Sequence, residues 1–259
     1  MTQSSFAAGL VERFPRVATA AGVYRLLRRQ GRTFAAAGAD MTPVEDLFRQ
    51  TDDGRLLEIR GHELDDVRVS VERVVASQKY EELVGFLAKM QDLRPRRICE
   101  IGTSAGGTLF AFTRVAASDA IVIAVDLALP ATTRRARSRL GRGNQKVVSI
   151  EGDSTTAETR KAVENALGGE PLDVLFIDGD HTYQGVKADF ELYAPLVRPE
   201  GLIGLHDINE DYATRYGRQT ASISGDVPRF WRELRATHMT EELIADPDQD
   251  GYGIGVIYA

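Results

Sequence analysis

Two short clusters carry the side chains best suited to chemistry in this 259-residue chain. Asp178-Gly-Asp180-His181 follows an apolar run at 172–177, and His206-Asp207 follows another at 201–205. If those runs are neighbouring parallel strands, about 4.8 Å apart, Asp178 and Asp207 converge on one point. Carboxylates that close repel unless a proton or a cation lies between them, and a divalent cation is the economical solution. Asp178, His206 and Asp207 are therefore the candidate metal ligands. Mg²⁺ favours oxygen and retains water for exchange with a substrate hydroxyl, whereas the imidazole of His206 suits Mn²⁺, Fe²⁺ or Zn²⁺ better. His181 is the candidate general base, because imidazole titrates near neutral pH; a capping role competes with it. Asp180 can hold a ligand or cap the next helix, and Asn209 can add an oxygen or shape a turn.

Five apolar runs, at 97–101, 120–125, 146–150, 172–177 and 201–205, each end in a polar or acidic cluster, with helix-like segments between them. In an open parallel sheet, ligands bind at the carboxyl ends of the strands, so these clusters converge on one crevice. The first run leads into Glu100-Ile-Gly-Thr-Ser-Ala-Gly-Gly-Thr108, where Gly102, Gly106 and Gly107 have no Cβ to keep a polar ligand from the backbone. Asp126 ends the second run, where a ribose-binding acid is expected. The turn does not give G-x-G-x-x-G, which makes a nicotinamide dehydrogenase less attractive.

The stretches Ile177-Asp-Gly-Asp-His-Thr-Tyr-Gln-Gly-Val-Lys-Ala-Asp-Phe190 and Gly201-Leu-Ile-Gly-Leu-His-Asp207 resemble class I S-adenosylmethionine-dependent methyltransferases. Within that group the chain looks most similar to the metal-dependent O-methyltransferases, including those acting on sugars of natural products. The likeness covers residues 94–259. It implies an α/β Rossmann-like fold with a seven-stranded, mostly parallel sheet, one antiparallel strand and helices on both faces. An N-terminal helical segment, 1–92, would precede a catalytic domain, 93–259. By the same resemblance, Glu100, Gly102, Thr103, Ser104, Gly106 and Thr108 surround the methionine part of S-adenosylmethionine. Asp126 takes the ribose, Asp153 and Ser154 the adenine, and Asp178 also borders the cofactor. Asp178 and His181 are the expected catalytic pair. The implied cofactors are S-adenosylmethionine and a divalent cation, Mg²⁺ first and Mn²⁺ next; the partner is a hydroxylated or glycosylated metabolite. His206 stands where the related enzymes usually have an acid.

A formal net charge of −6 argues against a general nucleic-acid binder. A single cysteine, Cys99, permits no internal disulfide and reads as a small buried hydrophobe. With no apolar run near the ~18 residues that cross a bilayer, a cytoplasmic protein without membrane contact is expected. Six arginines and one acid, Glu12, between residues 10 and 32 suggest a helix packed on the catalytic domain or on a sister subunit, hence a homo-oligomer. A helix is expected over 67–87, and the basic segment 130–144 reads as a solvated helix face. Thr155-Thr-Ala-Glu158 reads as a capping box, and Val186, Phe190 and Tyr193 as core. Residues 209–226 form a loop long enough to serve as a substrate lid. A helix at 227–234 carries the sole tryptophan, Trp231, against the sheet. Two final strands, at 242–245 and 253–258, make an antiparallel hairpin.

Overall fold

Uninterrupted apolar runs separated by half-polar segments give strands buried on both faces, alternating with helices that cover them. A computed structural model describes residues 78–104, 106–128, 140–220 and 222–259. The arginine-rich segment, the start of the helix expected at 67–87 and most of the basic segment 130–144 lie outside the described residues. In chain order the elements are α1 (Tyr80–Leu93), β1 (Arg97–Ile101), α2 (Gly107–Val115), β2 (Ile121–Asp126), β3 (Lys146–Glu151), α3 (Ala157–Leu167), β4 (Leu172–Ile177) and α4 (Tyr183–Tyr193). They continue through a 3₁₀ turn (Ala194–Leu196), β5 (Val197–His206), α5 (Tyr212–Tyr216), α6 (Val227–Arg235), β6 (Thr240–Leu243) and β7 (Ile254–Tyr258).

The sheet runs β3-β2-β1-β4-β5-β7-β6. β1 to β5 are parallel, and β7 alone is reversed, pairing antiparallel with both β5 and β6. This is the expected fold class. β5 begins at Val197, four residues before the expected start, and β6 lies two residues earlier than the expected strand.

Each face of the sheet has its own core. On one, Phe86 of α1, Phe112 of α2 and Phe176 of β4 meet with ring centroids 5.3 to 6.0 Å apart, a spacing that favours tilted and edge-on aromatic contacts. On the other, Val163, Leu167, Val186, Tyr193 and Trp231 pack together. Cys99 lies in this second core, and burial pushes its thiol well above the usual range. Trp231 lies flat on Gly255 of β7, where an added Cβ would come within 2.5 Å of the indole ring. Its Nε1 donates to Glu242 at 2.6 Å.

The cap of α3 is Thr156, whose hydroxyl accepts from Thr159 N–H, whereas Thr155 turns back to donate to Asp153. The capping function of the threonine pair thus falls one residue later than the box pattern suggests.

α1 is fastened to the C-terminal hairpin by a buried acid. Glu82 is 1% exposed, and its Oε1 accepts from Ala245 N–H (3.2 Å) and Gln249 Nε2 (2.6 Å), while Oε2 accepts from Gly253 N–H (2.9 Å). Nearer the surface, Lys89 pairs with Glu241 at 2.7 Å.

Candidate active site

The register of the sheet places the expected acids side by side. Ile101, the last residue of β1, pairs with Val125 on one side and with Ile177 on the other. Asp126 and Asp178 therefore leave the same carboxyl edge and flank the turn that follows β1. Gly102 N–H donates to Val125 O at 2.9 Å, and Asp178 N–H to Ile101 O at 2.8 Å. Gly102 is left-handed (φ 82°), and a Cβ there would lie 1.9 Å from the carbonyl oxygen of Asp178. This glycine lets two strand ends pass, a requirement that stands apart from access for a ligand.

Beyond it, Ser104 N–H donates to Asp126 Oδ2 at 2.7 Å, which ties the turn to the end of β2. Gly106 (φ 85°) caps α2 and brings no side chain to its first-turn amides, the arrangement that favours a ligand carboxylate at a helix start. The Thr103 hydroxyl braces the turn from inside, near Val125 O (3.4 Å) and Glu100 O (3.5 Å), and Glu100 itself is 1% exposed. At the end of β3, Asp153 Oδ1 accepts from Thr155 N–H (2.9 Å), and the Ser154 carbonyl accepts from Tyr193 OH (2.9 Å). Those two residues thus have a local turn role on the same edge of the sheet.

On the other flank of β4, Asp178, His206, Asp207 and His181 come together. Asp178, His181 and Asp207 each offer a ligand atom, all within 4.8 Å of one another. His181 Nε2 is 3.5 Å from Asp178 Oδ1 and 3.5 Å from Asp207 Oδ2. His206 Nδ1 is 3.2 Å from the same two oxygens and is almost wholly buried. Asp207 adopts φ 61°, a left-handed conformation that aspartate tolerates, and its Oδ1 accepts from Tyr252 N–H at 3.2 Å. The donor set of two carboxylates and imidazole nitrogen fits a divalent cation of the Mn²⁺, Fe²⁺ or Zn²⁺ type, with Mg²⁺ better served by the oxygens alone.

The loop over 209–226 holds His181 in place. The Ile223 carbonyl contacts His181 Nδ1, and the Asp226 N–H donates to the His181 carbonyl at 2.8 Å. A carbonyl at Nδ1 keeps a proton on that nitrogen, and in the imidazolium form the Nε2–H faces the two carboxylates. Asn209, weighed above as an oxygen donor, instead serves the turn: Nδ2 donates to Gln249 O and Gly251 O, both at 3.1 Å, and Oδ1 accepts from Arg215. Asp180 caps the approach to α4, its Oδ1 accepting from Thr182 N–H at 2.9 Å.

The electrostatics follow from this crowding. Burial works to raise the Asp178 carboxyl, but His206 and His181 outweigh it and hold it at about 2. Burial would lower His181, yet the Asp178 hydrogen bond and the Asp207 charge raise it to about 9. His206 moves the same way, well above its ordinary value, with burial opposed by Asp207 and Asp178. A histidine whose pKa is raised by folding stabilises the protein fully below its unfolded value, about 6.5. That contribution is lost as pH climbs through the folded value. The metal-free protein is therefore expected to lose stability between pH 6.5 and about 9. Urea unfolding in chelator at pH 6, 7.5 and 9 checks this, and a flat profile would contradict the pairing.

Two residues of the neighbourhood carry no local sequence signal. Asp189 of α4 is wholly buried, and burial pushes its carboxyl up to about 7, with Ser154 pulling the other way. Gln78, just before α1, donates from Nε2 to Asp178 Oδ2 at 2.8 Å.

Residues 99–208 match a family described as Methyltransferase domain. These residues are similar to a methyltransferase domain, and they include Glu100, Asp126, Asp153, Asp178, Asp180 and Asp207. The uncharacterized protein y4gI of Sinorhizobium fredii is 34% identical over 173 residues, which is 62% of this chain. The chain spans 17% of that relative's length. Among solved structures, the O-methyltransferase from Bacillus cereus, in complex with SAH, is 20% identical with a TM-score of 0.55, covering 87% of this chain and 100% of that one. TomG from Streptomyces achromogenes, an O-methyltransferase in complex with SAM, is 18% identical with a TM-score of 0.51, covering 79% and 93%. MycE from the mycinamycin biosynthetic pathway, in complex with Mg and SAH, is 16% identical with a TM-score of 0.51, covering 74% and 54%. The chain thus shares the fold of these solved structures, and among the described residues no helix is long and apolar enough to cross a membrane.

Proposed function

We propose that the chain transfers the methyl group of S-adenosylmethionine to a hydroxyl of a small molecule, assisted by a divalent cation. One observation carries this reading: Asp126 and Asp178 flank a single strand-to-helix turn, and the Asp178, Asp207 and His181 cluster stands beside it. The donor's sulfonium is already electrophilic, so the protein must align the acceptor oxygen with the methyl carbon and manage one proton. The turn from Glu100 to Thr108 is suited to the methionine end, and Asp126 to the ribose. In the transfer, an oxygen lone pair forms the new C–O bond as the C–S bond breaks, sulfur keeps the electron pair in S-adenosylhomocysteine, and the hydroxyl proton passes to solvent water. Asp178, Asp207 and His181 would hold the cation, with His206 Nδ1 close by. When bound, it supplies Lewis acidity that lowers the acceptor hydroxyl's pKa. The neighbour MycE, whose structure has also been solved with Mg, SAH and mycinamycin VI, supports a natural-product acceptor and Mg²⁺ or a similar ion.

A second reading is favoured by His206. Its ring lies 3.2 Å from both carboxylates and, as an imidazolium, offsets one of their two negative charges without an ion. In that case His181, in its neutral form, takes the acceptor's proton at Nε2, and Asp178 and Asp207 orient the acceptor by hydrogen bonds.

Calorimetry with S-adenosylhomocysteine tests the donor. Incubation with S-adenosylmethionine and a panel of hydroxylated and glycosylated metabolites, followed by mass spectrometric detection of S-adenosylhomocysteine, finds the acceptor. Chelator is then expected to remove turnover and Mn²⁺ or Mg²⁺ to restore it; undiminished turnover in chelator selects the second reading. Absence of S-adenosylhomocysteine binding removes both.

A further inference from the structure

We propose that Gln78 is a positioning residue: its amide fixes Asp178 in the acidic cluster from an anchor on Thr108, at the start of α2. This rests on the cation-assisted reading above. Gln78 is 4% exposed and precedes α1, so its amide is shut away from water and must find partners within the protein. It has two. Nε2 donates to Asp178 Oδ2 at 2.8 Å, and Oε1 accepts from the hydroxyl of Thr108, itself 4% exposed. The amide orientation is forced, because turning it over would set its oxygen against a carboxylate.

The consequence lies in which oxygen is occupied. With Oδ2 held by Gln78, Asp178 presents Oδ1 to His206 (3.2 Å) and to His181 (3.5 Å), the side on which Asp207 Oδ2 also faces those rings. Without that donor, the carboxylate is free to rotate about its last bond and to spread its charge over other orientations. The anchor is itself fixed: Thr108 sits in the first turn of α2, next to the glycine turn assigned to the methyl donor. Thr108, Gln78 and Asp178 therefore form one hydrogen-bonded line from the donor turn to the cluster. Partners that orient a ligating carboxylate typically carry about 10- to 100-fold in metal affinity.

The test uses the full chain, with Mn²⁺ followed by electron paramagnetic resonance and S-adenosylhomocysteine by calorimetry. Gln78→Met keeps the side chain's length and removes both polar ends. It is expected to weaken Mn²⁺ binding by about 10- to 100-fold while S-adenosylhomocysteine affinity stays within about threefold and the thermal midpoint stays near that of the wild type. Thr108→Val, which leaves Gln78 in place and removes its anchor, is expected to weaken Mn²⁺ by a smaller factor, and carries the test should Gln78→Met fail to fold. The double variant is expected to be no worse than Gln78→Met alone, because both act along the same line. Mn²⁺ affinity within twofold of wild type in both single variants, or losses that multiply in the double variant, would overturn the proposal. A wild type that binds S-adenosylhomocysteine but no Mn²⁺ overturns it too, and leaves the methyl-donor reading standing.

Discussion

Replacing Asp178 with Asn is expected to lower methyl transfer by about 10³-fold while leaving S-adenosylhomocysteine binding within about tenfold of wild type. The substitution keeps the shape of the side chain and removes its charge. Asp178 is the hub of the cluster: Oδ1 faces both imidazoles, and Oδ2 accepts from Gln78. Once it is neutral, two histidines face Asp207 alone, and a cation loses one of two carboxylates. Under the second reading the loss remains, because the acceptor then lacks an orienting acid. The measurement is kcat with an acceptor that the wild type methylates, set beside calorimetry with S-adenosylhomocysteine. Turnover within threefold of wild type would remove Asp178 from the chemistry.

The largest effect on stability is expected at Gly102, far smaller than any core side chain. Gly102→Ala places a methyl 1.9 Å from the Asp178 carbonyl oxygen and forces a left-handed φ of 82° on a residue with a Cβ. Neither strain can be relieved by a side-chain rotation, since the obstacle is backbone hydrogen-bonded into β1 and β4. A loss of more than about 3 kcal/mol follows, above the usual range for a surface-turn substitution. Urea unfolding monitored by circular dichroism measures it, and a loss under 1 kcal/mol would mean that the two strand ends part more easily than their hydrogen bonds suggest.

The sheet was legible because its central strands are buried on both faces and so read as apolar runs, as in residues 121–125 and 174–177. The edges of elements were less so. β5 extends back through Arg198, Pro199 and Glu200, whose polarity hides a strand that projects beyond the core. The acids of the site were legible for a related reason: each lies at or just beyond a strand's carboxyl end, so the topology alone delivers it to the shared edge. Gln78 was not, because its partners lie 30 and 100 residues away and nothing local distinguishes it from a solvated glutamine. For Gly102 the sequence suggested room for a ligand but not the second requirement, the close pass of the Asp178 backbone, which only the register of β1 and β4 supplies. Asn209 carries the right chemistry for a ligand, but Arg215, six residues on, occupies its oxygen.

The joint between α1 and the hairpin of β6 and β7 combines two fasteners with opposite responses to dissolved ions. Lys89 and Glu241 attract each other where water and counterions reach them, so added salt weakens that pair. The Glu82 carboxylate is held by three neutral N–H dipoles inside the protein, where a mobile ion has no access. As salt rises, the outer clasp loosens and the inner one keeps α1 seated over the sheet, with Gln78 carried along at its leading end.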